Sequence, residues 1–130
     1  LFAKEFSRRL SLYQENFPVI AWAPGLVIPR GDGGFFRYSK KYNQIGQVIF
    51  SFFVRDLFRI TERPENAGKL LADLALEREF NSNGFHYYSN NVQSPGVHIF
   101  KECDCSEEAN NTELAKELWE LSEKLLSVIN

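Results

Sequence analysis

A chain of 130 residues with 44% hydrophobic content has the length and apolar share of one ordinary soluble domain. Its 15 basic and 17 acidic side chains are spread along the sequence for a net charge of -2, which excludes the concentrated basic patch that nucleic-acid binding requires. The longest strongly apolar run, Val48 to Val54, is far shorter than the ~20 residues of a bilayer-crossing helix, and the start carries no signal-peptide pattern, so a soluble intracellular protein is expected.

Phe2, Phe6, Leu10 and Tyr13 recur at helical spacing with charged residues between them, so Leu1 to Tyr13 reads as an amphipathic helix. Phe17 to Ala23 is a continuous apolar run, which predicts a strand buried on both faces as in a parallel sheet. Pro24-Gly25 stops it, and Leu26 to Gly34 has the Pro and Gly punctuation of a loop. Gln44 to Ile60 predicts a helix on the repeat of Ile45, Val48 or Ile49, Phe52 or Phe53, and Leu57. Pro64 suits a first helical turn, with Ala67, Leu70, Leu71 and Leu74 striping a helix to about Arg78. After a turn at Asn81 to Gly84, Gly84 to Tyr88 suits a strand and Val97 to Phe100 an extended segment. Leu114, Leu118, Leu121, Leu125 and Val128 mark a terminal helix, with Asn110 and Glu113 as its cap signal.

The chain offers little chemistry of its own. No tyrosine has a lysine four residues on, the spacing at which an ammonium lowers a phenol pKa for base catalysis. His86 and His98 lack a nucleophile motif and read as structural or exposed. Cys103 and Cys105 lie too close for an ordinary disulfide, and no His or further Cys completes a metal site. Glu107, Glu108, Glu120 and Glu123 read as solvated faces. The absence of methionine and the start at Leu1-Phe2 predict a fragment or processed product. One constellation stands out, the aromatics Phe35, Phe36, Tyr38, Tyr42, Phe50, Phe52, Phe53 and Phe58. They fit either a packed core or a pocket closing over a flat apolar ligand, with Arg37 or Lys40 meeting its carboxylate.

The element order resembles the second half of a short-chain dehydrogenase/reductase. ELWELSEKL at 117–125, Glu5-Phe6-Ser7-Arg8-Arg9 and Ala67-Gly68-Lys69 are similar to the light-dependent protochlorophyllide reductases. The resemblance implies the C-terminal portion of a Rossmann-type doubly wound parallel sheet, with 1–130 as the substrate-side, helix-rich part of one domain. It also implies NADPH as cofactor, with Pro24, Gly25, Leu26 and Val27 against the nicotinamide end. Phe35, Phe36, Arg37, Tyr38 and Tyr42 would then face the substrate, and the YxxxK pair would lie before Leu1, leaving this chain without catalytic residues and inactive alone. The implied activity is reduction of a ring double bond in chlorophyll biosynthesis. The implied location is the cytoplasm or a plastid, against a photosynthetic membrane. Leu26 stands where those reductases carry a cysteine, and Pro29 where the wider family has a threonine. Another apolar substrate, or a non-catalytic module, are the alternatives.

Overall fold

The computed structural model describes residues 1–15, 17–30, 38 and 41–129. The described elements are α1 (Phe2–Leu12), β1 (Pro18–Ala23), α2 (Gln44–Ser51) running on as a π-helical stretch (Phe52–Leu57), and α3 (Pro64–Leu76). A 3-10 turn (Arg78–Phe80), β2 (Gly84–Ser94), β3 (Val97–Glu102), α4 (Glu107–Asn110) and α5 (Thr112–Ile129) follow. The chain is thus α/β, with a three-stranded mixed sheet ordered β1-β2-β3.

Strand directions follow from the bonds. Gly84 N–H donates to Phe17 O at the leading ends of β1 and β2, and the Asn90 amide donates to Pro24 O at their trailing ends, so the two strands are parallel. Between β2 and β3 only Pro95-Gly96 intervenes, and Cys103 N–H returns to Tyr87 O at 2.8 Å, which makes an antiparallel hairpin. Proline cannot adopt positive φ, so the turn is of type II, with Gly96 at φ +78°.

Backbone contacts divide the chain into two compact units, Leu1–Ala21 with Glu77–Tyr88 and Glu102–Asn130, and Trp22–Leu76 with Ser89–Lys101. In the first unit α1 packs on α5. The Trp119 ring stacks on Phe2 at 4.7 Å, the Arg9 guanidinium covers it at 4.7 Å, and its indole N–H donates to Glu123 at 2.7 Å. Ala115 is small enough to be buried there. Glu5 is buried on α1 and accepts from Arg8 and Arg9 one turn on, which turns a costly buried carboxylate into a paired one. Its carboxyl is lowered to about 2, first by the Arg8 hydrogen bond, against burial, with Arg9 adding to the shift.

Among the described residues of the second unit, Ile28, Val54, Ala67 and Leu74 are buried and apolar. Asn43 caps α2 by accepting from Gly46 N–H at 2.8 Å. The ladder then widens: Phe58 N–H reaches back to Phe53 O and Ile60 N–H to Val54 O, and Arg59 closes the stretch at φ +52°.

Several expectations need correction. All six residues of β1 are only half-buried and Phe17 is exposed, so the strand is not covered on both faces. The helix expected over Gln44 to Ile60 is α-helical only to Ser51, because its crowded β-branched and aromatic side chains give way to π geometry. Core packing of the aromatics fails for Tyr38, Tyr42, Phe50, Phe52, Phe53 and Phe58, all exposed, since the segment buries only Val54. The strand expected at Gly84 to Tyr88 begins there but extends to Ser94, and α5 is capped by Asn111, whose Oδ1 accepts from Glu113 and Leu114 N–H, rather than by Asn110.

Candidate functional site

The trailing end of β1, in the second unit, is where the resemblance puts the cofactor contacts. Pro24 ends the strand, and Gly25 follows at φ +80°, a conformation that glycine adopts without the Cβ penalty. A Cβ at position 25 would also lie 3.0 Å from the main-chain oxygen of Asn90, so the backbones of the two segments approach as only glycine allows.

Beneath this turn sits a buried polar knot. Asn90, on β2, donates its amide to Glu62 Oε2 at 2.6 Å and to Pro24 O at 3.4 Å. The Glu62 main chain donates to Leu26 O at 2.8 Å and pairs with Val27 in a parallel bridge, while its Oε1 accepts from Arg63 N–H at 2.6 Å. His98, on β3, brings Nδ1 to 3.8 Å from Glu62 Oε2 and Nε2 to 3.5 Å from Ile60 O. Burial raises the Glu62 carboxyl, but the Arg63 N–H, the Asn90 and Asn66 amides and the nearby His98 outweigh it, and the group stays ionised below its ordinary range. One carboxylate therefore ties the β1 turn, the lead into α3, β2 and β3 together.

Pro24, Gly25, Leu26 and Val27 are thus brought to one place, and two of their carbonyls, those of Pro24 and Leu26, already serve the knot. Among the described residues the Trp22 indole N–H, just before the turn, is buried without a hydrogen-bond partner, a donor left unmatched at a cost of about 1–3 kcal/mol. Phe35, Phe36, Arg37 and Lys40 lie outside the described residues, while Tyr38 and Tyr42 are exposed. Glu62 and Asn90 escaped the sequence reading. The signal for Asn90 was an Asn-Asn pair inside a strand, where asparagine is depleted. Glu62, two residues before Pro64, carries no comparable signal.

His86 is held in the first unit between Ser82 Oγ (3.0 Å from Nε2) and Glu102 Oε1 (2.8 Å from Nδ1), an order that imitates a nucleophile, base and acid. The Ser82 carbonyl also lies 3.2 Å from Nε2 and claims a proton there. The Glu102 hydrogen bond, against burial, raises the imidazole above its ordinary value, with the Glu102 charge and main-chain carbonyls adding to it, so the ring is stapled between Glu102 and the Ser82 main chain. Cys103 and Cys105 are half-buried. Among the described residues no group of three His, Cys, Asp or Glu is placed to hold a metal, and no helix is long and apolar enough to cross a membrane.

No protein-family model matches the chain, and no solved structure matches it significantly. Protochlorophyllide reductase B, chloroplastic, of Hordeum vulgare is 32% identical over 127 residues, which is 96% of this chain and 29% of that protein. The chain therefore spans under a third of the length of the curated relative it matches, and along nearly all of its own length it is similar to a protochlorophyllide reductase.

Proposed function

We propose that this chain is the substrate-side part of an NADPH-dependent oxidoreductase of the short-chain dehydrogenase/reductase type, acting on protochlorophyllide. The observation that carries the reading is the turn at Pro24-Gly25. It stands at the carboxyl end of a strand that runs parallel to its neighbour, the place where open α/β sheets receive their ligands, and it brings main chain close to main chain through a glycine. Similarity to a protochlorophyllide reductase over 96% of the chain supports the same reading.

In this proposal NADPH supplies hydride when bound, and Pro24, Gly25, Leu26 and Val27 line its nicotinamide end. The Glu62 and Asn90 knot keeps that turn rigid beneath the cofactor. Phe35, Phe36, Arg37, Tyr38 and Tyr42 take an apolar, carboxylate-bearing substrate, and the tyrosine and lysine of a YxxxK pair come from outside these residues. The exposed apolar side chains of α2 and the π-helical stretch, Ile45, Val48, Ile49 and Phe53 among them, suit work in a plastid against a membrane surface.

The protein expressed from its complete gene should bind NADPH and reduce protochlorophyllide under illumination. Failure to bind NADPH would overturn the reductase reading. Binding of NADPH without turnover of protochlorophyllide, in light or dark, would move the substrate to another apolar molecule, in keeping with Leu26 and Pro29 at the turn.

A further inference from the structure

Within the second unit, a cleft of about 940 Å³ opens beside the segment after β1, the end of the π-helical stretch and the start of α3. Four arginines stand in its wall, Arg30, Arg55, Arg59 and Arg63. Two of them are spoken for. Arg30 and Arg55 both pair with Asp56, at 2.8 and 2.9 Å, and Asp56 is held below the usual carboxylate range chiefly by the Arg55 hydrogen bond. The acid next to Arg63, Glu62, is committed to Asn90 and to main chain. Among the described residues the Arg59 and Arg63 guanidinium groups have no ion-pair partner, although Glu65 stands in the same wall.

Arg59 is also placed at a cost. It holds φ +52°, a left-handed conformation that a non-glycine residue adopts against steric repulsion. Its carbonyl accepts from Gly96 N–H at 2.8 Å, and its Cβ and Cδ lie 3.8 and 3.6 Å from where a Cβ of Gly96 would be. The arginine stem therefore runs along the β2–β3 turn, which aims the guanidinium from a fixed base. The N-terminus of α3, the positive end of its dipole, opens on the same cleft at Pro64 and Glu65.

We propose that this cleft binds the phosphoryl group of a small molecule, gripped by Arg59 and Arg63. Two guanidinium forks lining the same cleft as a helix N-terminus suit the three oxygens and double charge of a phosphoryl group, whereas a carboxylate is saturated by one fork. The site stands on Arg59 and Arg63, not on the Pro24 to Val27 turn, and so goes beyond the reductase reading.

The test is calorimetric titration of the protein from its complete gene, at constant ionic strength, with inorganic phosphate, pyrophosphate and, as the carboxylate control, succinate. Phosphate or pyrophosphate should bind and succinate should not, and stronger binding of pyrophosphate would assign a diphosphate-bearing ligand over free phosphate. Arg59→Gln and Arg63→Gln should each weaken binding by roughly tenfold to a hundredfold. Arg59→Gly should melt at a higher temperature than the parent while losing the anion to the same degree, a combination that separates loss of the site from loss of the fold. NADPH affinity measured on the same variants should be unchanged, which keeps the outcome distinct from that of the reductase proposal. Absence of phosphate binding, equal binding of succinate, or binding that both arginine variants leave intact would overturn the assignment.

Discussion

Replacing Gly25 with alanine should damage this protein in two separable ways. The left-handed φ of +80° costs an L-residue about 1–2 kcal/mol, and a Cβ 3.0 Å from the Asn90 carbonyl oxygen forces a strand backbone to yield, adding about 1–2 kcal/mol. A chain of this length loses about 4 °C of melting temperature per kcal/mol, so Gly25→Ala should melt about 8–15 °C below the parent. Thermal unfolding followed by near-ultraviolet circular dichroism, with Trp22 three residues away as reporter, measures it. Gly25→Asn should fall between the two proteins, because asparagine tolerates the left-handed region but still carries a Cβ. Where a conformation is compatible with alanine, the same substitution stabilises by about 0.4–1 kcal/mol through the unfolded state. An unchanged or raised melting temperature for Gly25→Ala would therefore refute both the strain and the close approach.

Asn90→Leu should cost about 1.5–3 kcal/mol, because it strips a buried carboxylate of its amide donor. The Glu62 carboxyl, held below its ordinary value in the parent, contributes stability that is present above pH 4.5 and lost as pH falls. Melting curves at descending pH should show the parent losing this contribution and the variant losing less, so that the two converge toward acid, and parallel curves would contradict this. Glu5→Gln should destabilise at neutral pH and converge on the parent near pH 2, since the Glu5 carboxyl at about 2 contributes above its ordinary 4.5 and fades below it. His86 has its folded value raised, so its contribution is complete below pH 6.5 and disappears as pH climbs through the folded value. A proton NMR titration should find its ring titrating above 6.5 in the parent and lower in Glu102→Gln, and equal midpoints would sink the staple.

What the sequence could disclose was whatever repeats with the period of an element. The stripe of α5, the stop at Pro24-Gly25 and the proline that opens α3 were all legible, because each is a local property of a few residues. Long-range pairings were not. Nothing in Thr61-Glu62-Arg63 announces that its carboxylate will meet an asparagine from β2 and a histidine from β3. The hairpin was underestimated because polar Asn90, Asn91 and Gln93 break the strand pattern after Tyr88, although Pro95-Gly96 was a turn signal in plain view. The aromatic segment left two readings open, since periodicity reports which side chains share a face and not what lies opposite. Its described rings are all exposed.

The parallel pairing of β1 with β2 has a kinetic side. The β2–β3 hairpin closes across two residues and can form within microseconds, but the bond from Gly84 to Phe17 O waits for about 65 residues to be looped together, at about 4 kcal/mol of chain entropy. A ribosome adding about 10 residues per second leaves β1 without its neighbour for about 7 seconds, with Val19, Ile20 and Trp22 in water. Nascent chains stalled before Gly84 should consequently be the ones that holdase chaperones retain, and chains extended past Glu102 the ones they release.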